Sequence, residues 1–211
     1  MKKEKTIAVI TGDVVDSSVL SEAEKRFFQQ KIETFSCEGI LLKPRFYRGD
    51  SFQLAVEPRI ALWLALKFRA EIKRWKEAND VRISVGIGEA AGWNEDVLLA
   101  SGTAFERSGK NLDRLKKLAL NIFIATENEE LNQEFETYCY MADSIYRNLT
   151  AIQANVVYHR LDGLSQNEMS RLLGISQPAV SKSLKAANWV AVEKFLNRYE
   201  QIIARYYGTP E

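Results

Sequence analysis

Two aspartates, Asp13 and Asp50, stand where a metal-dependent reaction could take place. Asp13 follows an apolar run that predicts a short buried strand, and Asp50 belongs to a Gly-Asp pair between two alternating segments that predict a β-hairpin. If the hairpin packs beside the first strand, both carboxylates can ligate one divalent cation, Mg²⁺ or Mn²⁺. Gly-Asp is also a common turn pair, so the spacing alone is equally compatible with two ordinary turn residues.

The segment after Asp13 adds candidate ligands for an anion. Ser17 and Ser18 precede a predicted helix over about 21–35, which Ser21 and Glu24 can begin with a capping box. The N–H groups at a helix N-terminus attract anions, so Ser17 and Ser18 are candidate phosphate ligands. A metal ion together with a triphosphate is the chemistry that this combination indicates.

A second constellation lies at residues 164–184, LSQNEMSRLLGISQPAVSKSL. Ser165 and Glu168 predict the capped start of one helix, and Gly174 follows its apolar residues as a helix end. Pro178 suits the first turn of the next helix, where its missing N–H is not needed. Two short helices around such a turn are typical of a DNA-binding helix-turn-helix.

The second of these helices is expected to present a polar face. Val180 and Leu184 should face inward, as should the stripe Met169, Leu172 and Leu173 of the first helix. The expected DNA-contacting residues are Gln177, Pro178, Ser181, Lys182 and Lys185. A helical hairpin that only packs is the alternative, but the coincidence of caps, turn, proline and polar face favours DNA binding.

Two further helices should complete this region. Thr150 and Gln153 predict the capped start of a helix that ends near Leu161, with Ile152, Val156 and Val157 packing on the helix pair. A final helix over about 191–206 has a broad apolar face, which should pack on the other helices or on a second subunit.

The front part of the chain alternates predicted strands and helices. The order strand, helix, two strands, helix, strand, with one more helix and strand, predicts an α+β, ferredoxin-like fold followed by an all-α helix-turn-helix domain. The expected domains are residues 1–126, a connecting helical segment over 127–149, and residues 150–211. Function must be argued from sites rather than from such a fold.

Composition and charge narrow the class of protein. With 211 residues, 46% hydrophobic and 27% charged, the chain resembles an ordinary soluble protein of the cytoplasm, with no signal peptide or membrane span expected. Its two cysteines lack metal-type spacing. Residues 145–211 hold eight Lys and Arg against five Asp and Glu, a net +3, which suits a short phosphate footprint.

Several motifs resemble known families. The run from Asp13 to Glu22 and the run Arg48-Gly49-Asp50-Ser51-Phe52 resemble the two metal motifs of class III nucleotidyl cyclases, and Val81 to Gly88 is similar to the strand that follows them. Together with residues 101–109 and the C-terminal helix-turn-helix, they more closely resemble the SatD family of bacterial proteins over nearly the whole chain. The resemblance implies a cyclase-like domain in which Asp13 and Asp50 hold the metal.

One departure from the cyclase pattern concerns catalysis. Cyclases carry an asparagine and an arginine that stabilise the ribose and the transition-state phosphate, and Glu106 and Lys110 stand nearest to those positions. Glutamate beside a triphosphate is electrostatically unfavourable. Lys110 or Arg107 is the candidate phosphate cation, although neither matches the geometry of the cyclase arginine.

Two functions therefore remain open from the sequence. In the first, the protein is a homodimeric DNA-binding regulator whose cyclase-like domain senses a nucleotide or another phosphorylated ligand. In the second, it is a metal-dependent cyclase or phosphoryl-transfer enzyme with an attached helix-turn-helix. The replaced catalytic residues and the basic C-terminal region favour the regulator.

Overall fold

The computed structural model of the chain describes residues 6–47, 49–91 and 95–208. Over these residues the fold is α+β, with one five-stranded mixed sheet and eight α-helices. The strands are β1 (Thr6–Val14), β2 (Ile40–Tyr47), β3 (Ser51–Val56), β4 (Val81–Glu89) and β5 (Ile122–Ala125). The helices are α1 (Glu22–Glu33), α2 (Ala61–Trp75), α3 (Thr103–Leu118), α4 (Glu129–Arg147), α5 (Ala151–Leu161), α6 (Gln166–Leu173), α7 (Gln177–Ala186) and α8 (Trp189–Tyr207).

The sheet places β1 at its centre, in the order β2-β3-β1-β4-β5. The β2–β3, β3–β1 and β1–β4 pairs are antiparallel, and only β4–β5 is parallel. Asp13 lies opposite Ser51 of β3 and opposite Arg82 of β4. The end of β1 therefore has a polar neighbour on each side.

Alternate residues of β1 face two apolar layers. Ala8 and Ile10 belong to the large core that includes α2, whereas Ile7 and Val9 pack with Ala104 of α3 on the opposite face. Helix α3 packs closely on β4 at Gly86, where a side chain would not fit: a Cβ there would lie 2.3 Å from the Ala104 carbonyl oxygen. The two faces of the sheet are thus covered by different helices.

The C-terminal helices share the large core with the sheet. Phe68 and Ile72 of α2 belong to the same buried cluster as Val156 and Val157 of α5 and Val180 of α7. Helix α2 thus lies between the sheet and α5 and contacts both. Among the helices of the described ranges, none combines the length and apolarity that a membrane span requires.

The predicted elements of the front part are present, with small differences. Strand β1 continues through Asp13 to Val14, because pairing with β4 extends to the Val14–Val81 pair. Pro58 begins a 3₁₀ turn, and α2 starts only at Ala61. Arg48, part of the second metal-like motif, lies outside the described residues.

Two residues predicted to face inward are exposed. Ile152 of α5 is 66% exposed and Leu172 of α6 is 58% exposed. Both helices are short and pack along only one side, so the periodic pattern overstates the width of their buried faces. Met169, Val180 and Leu184 are buried as predicted.

Candidate functional site

Asp13 and Asp50 lie at the same end of neighbouring strands. The Val14 N–H donates a 3.3 Å hydrogen bond to the Asp50 carbonyl, and Asp13 pairs with Ser51 across β1 and β3. Gly49 adopts φ +85°, a left-handed conformation that glycine tolerates without strain, and so allows the tight turn that presents Asp50. The backbones of the two aspartates are therefore adjacent, as the sequence predicted.

The two carboxylates have different partners. Asp13 is 5% exposed, accepts a 3.2 Å hydrogen bond from the Ser51 hydroxyl, and lies 3.4 Å from an Arg82 nitrogen and 3.3 Å from Lys116 Nζ. The Asp50 carboxylate accepts a 2.5 Å hydrogen bond from the Ser17 hydroxyl. Asp13 is thus shared by two cations, and Asp50 is held by the turn that follows β1.

Two cations contact the Asp13 carboxylate and could also contact an anion. Arg82 and Lys116 outnumber the carboxylate that they share, although the neighbouring Asp50 brings the local charge to zero, and the Arg82 Nε is buried with no hydrogen-bond partner among the described residues. Arg82 and Lys116 retain solvent-exposed surface, 23% and 50% of their side chains. A phosphate group approaching the exposed parts of these two side chains would meet two cationic donors.

The carboxylates of Asp13 and Asp50 offer few ligands for a metal ion. Within residues 6–47, 49–91 and 95–208, no group of three or more His, Cys, Asp or Glu side chains is arranged to hold a metal ion. Two carboxylates are few for a divalent cation, and one of them already neutralises cations. The donors therefore suit a metal that arrives bound to phosphates better than a free ion.

Ser17 and Ser18 lie in a separate 3₁₀ turn rather than at the start of α1. Asp16 adopts a left-handed conformation (φ 50°, ψ 42°), which turns the chain after β1 and brings Ser17 to Asp50. At the start of α1 the capping box engages the N–H groups of Ser21 and Glu24. A hydrogen bond from Lys76 is the main reason why the pKa of Glu24 falls to about 2, so this terminus carries a carboxylate that opposes an anion.

Lys110 is not among the residues that contact the Asp13 carboxylate. Its side chain is 79% exposed and its ammonium lies 3.7 Å from Glu106, one turn away on α3. Arg107 is also engaged, because it donates a 2.7 Å hydrogen bond to the Ile87 carbonyl. The α3 cation that reaches Asp13 is Lys116, in the last turn of the helix.

Sequence reasoning missed Lys116 and Arg82, although a topological signal for them existed. Strands β4 and β5 are parallel, so α3 must return the chain to the end of the sheet where both strands begin. Strand β1 is antiparallel to β4 and therefore ends, near Asp13, at that same end of the sheet. Lys116 in the last turn of α3 and Arg82 at the start of β4 therefore lie next to Asp13. The cyclase resemblance directed attention to the other end of α3.

The second candidate site is the pair α6–α7. Ser165 and Glu168 form the predicted capping box, Gly174 ends α6 with φ +65°, and the Ser176 hydroxyl accepts the Ala179 N–H to begin α7. The structure adds Ser176 as the α7 cap. The exposed residues of α7 include all five predicted DNA contacts, Gln177, Pro178, Ser181, Lys182 and Lys185.

The opposite side of α7 is fixed in the core. Val180 is fully buried and Leu184 is 7% exposed, and α7 contacts α5, α6 and α8. Between the two helices, the Gln177 side-chain amide donates a 2.6 Å hydrogen bond to Gln166. Arg160 of α5 donates to the Leu164 carbonyl just before α6. The polar face of α7 is thus presented by a helix whose other side is packed.

No known family, no curated protein and no solved structure matches the chain.

Proposed function

We propose that the protein is a DNA-binding regulator in which α6 and α7 form a helix-turn-helix and α7 enters the major groove. The observation that carries the proposal is the exposed polar face of α7, with Lys182 and Lys185, on a helix whose Val180 and Leu184 are buried. Side chains of this kind on a docked helix contact base edges and phosphates.

The proposal includes a homodimer. A single ten-residue helix covers only a few base pairs, and helix-turn-helix proteins commonly gain affinity and specificity by placing two such helices one DNA turn apart. The buried residues of α8, Val192, Tyr199 and Ile203, pack in the chain's own core, so the dimer would use exposed residues instead.

We further propose that the front part binds a phosphorylated ligand at the end of β1, as a nucleotide sensor. The strand order and the three antiparallel pairs support a ferredoxin-like arrangement, which is consistent with the resemblance to cyclase-like domains. In this proposal Arg82 and Lys116 bind phosphate oxygens, and Asp13 and Asp50 hold a divalent metal that enters with them. Cyclase chemistry is less supported, because Glu106 and Lys110 neutralise each other on the exposed side of α3.

Selection from a pool of randomised DNA duplexes tests the DNA-binding proposal. The full chain should enrich a sequence, and dimeric binding should make that sequence an inverted repeat with half-sites about 10 base pairs apart. A chain with Val180→Asp, which places a charge in the core behind α7, serves as a misfolded control. Failure of the folded wild-type chain to retain any duplex at low salt would overturn the proposal.

A further inference from the structure

A groove of about 510 Å³ runs between α4 and α8. It shares no lining residue with the surroundings of Asp13 or with the polar face of α7. Its volume lies within the range of small-molecule sites. Its apolar lining residues include Tyr138, Met141, Ile145, Val192 and Phe195.

The base of the groove is formed by packed side chains, and its rim includes an exposed, flexible one. The rings of Tyr138 and Phe195 pack with their centroids 5.4 Å apart, and Val192 is 1% exposed. Met141 is 60% exposed on the rim, so a flexible thioether side chain stands in water beside the apolar lining. A ligand with an apolar body would cover this surface.

Charge at the rim selects the polar end of such a ligand. Arg198 pairs with Glu134 at 2.9 Å, and the Glu134 carboxylate also accepts a hydrogen bond from the Tyr138 hydroxyl. Lys194 is exposed and has no ion pair with any residue that the structure describes. The rim therefore carries a net charge of +1, centred on Lys194.

We propose that this groove binds a small amphipathic carboxylate, with its apolar body lying between α4 and α8 and its carboxylate at Lys194. The concave shape within a single chain favours a small molecule over a second copy of the protein. The proposal is independent of the site at Asp13, and its test uses small molecules alone because Lys194 also lies beside Ser181 and Lys185 of α7.

Isothermal titration calorimetry with three ten-carbon probes tests the proposal on the full chain. Decanoate should bind more tightly than 1-decanol, and decyltrimethylammonium should bind most weakly. The two ionic probes are used below their micelle concentrations and decanol below its solubility limit. Lys194→Glu should weaken decanoate binding about fivefold and leave decanol unchanged, because an exposed ion pair contributes about 1 kcal/mol. Lys117→Glu, at an exposed lysine on α3, is the matched control and should change nothing.

A steric variant tests the location. Ser144 lines the groove and is exposed, so Ser144→Phe should narrow it without disturbing the core and should weaken decanoate and decanol alike. Circular dichroism checks that the variant folds. Equal affinity for the three head groups, or no effect of Lys194→Glu, would overturn the proposal. If decanoate does not bind and Ser144→Phe dissociates a dimer in sedimentation, the groove belongs to a second copy instead.

Discussion

The indole N–H of Trp63 donates a 2.8 Å hydrogen bond to the carbonyl of Leu161, which joins α2 to the last residue of α5. Carbonyls at a helix C-terminus lack intrahelical partners, so this bond satisfies a group that would otherwise need water. One turn along α2, Lys67 is 2% exposed, lies 3.7 Å from the centroid of the Tyr158 ring and pairs with Asp162. The helix that covers the sheet is thus connected to α5, which in turn contacts α6 and α7.

Trp63→Phe should lower the free energy of unfolding by about 1–2 kcal/mol, because it removes the donor and keeps most of the ring. Trp75→Phe is the control, since Trp75 stacks on Phe27 and its indole has no carbonyl partner among the described residues. Urea unfolding monitored by circular dichroism measures both changes. Equal losses in the two variants would show that the Leu161 hydrogen bond has no special importance.

His159, the single histidine of the chain, should give a pH dependence of stability between pH 5.5 and 7.5. Partial burial, followed by the nearby Arg74 guanidinium, lowers the pKa of His159 below 6.5. The folded chain therefore binds this proton less tightly than the unfolded chain. The resulting stabilisation is complete above the unfolded value near 6.5 and is lost as the pH falls through the folded pKa.

Urea midpoints at pH 7.5 and 5.5 measure this change, and His159→Gln should remove most of it. An NMR titration of the His159 ring gives the pKa directly. A pKa at or above 6.5 would contradict the assignment, whatever the urea midpoints show.

The phosphate site predicts different outcomes for three lysine and arginine variants. Arg82→Gln and Lys116→Gln should each weaken binding of a nucleoside triphosphate by about tenfold, because each removes a charged hydrogen bond of about 1.5 kcal/mol. Lys110→Gln, on the same helix as Lys116, should have little effect, since Lys110 pairs with Glu106 in solvent. If Lys110→Gln gives the largest loss, the cyclase-like placement of the phosphate is correct and the assignment to Lys116 is wrong.

Metal dependence separates a sensor from an enzyme. Nucleoside triphosphate should bind only with Mg²⁺ or Mn²⁺, and Asp13→Asn or Asp50→Asn should abolish that binding while the thermal unfolding transition is retained. The bound nucleotide should remain intact, because the groups that stabilise the transition state in cyclases are replaced. Release of pyrophosphate or a cyclic nucleotide by the wild type, lost in Asp13→Asn, would support the enzyme instead.

Local patterns were sufficient to predict most elements. The capping boxes at Ser21, Thr150 and Ser165 act within four residues, so they could be recognised without knowing the fold. The adjacency of Asp13 and Asp50 required only that the hairpin pair with β1. These features depend on interactions that are close in sequence or fixed by strand pairing.

Long-range packing was not predictable in the same way. Arg69 falls on a helix that the pattern marks as amphipathic, yet its side chain is fully buried between Asp80 and Asp143. Asp80 immediately precedes β4 and Asp143 belongs to α4, and no local rule brings them together. Likewise, the contact between Lys116 of α3 and Asp13 of β1 joins residues far apart in the sequence. It can be predicted only once the order of the strands in the sheet is known.

Salt-dependent DNA binding by a double variant of α7 tests the central proposal most directly. Affinity for a labelled duplex is measured by fluorescence anisotropy across a range of salt concentrations, for the wild type, for Lys182→Ala with Lys185→Ala, and for the control pair Lys43→Ala with Lys117→Ala. Loss of two phosphate contacts should weaken binding to all sequences and reduce the slope of log affinity against log salt by about 1.8, whereas the control pair should match the wild type. An unchanged affinity and slope in the α7 variant would contradict the assignment of α7 to the DNA interface.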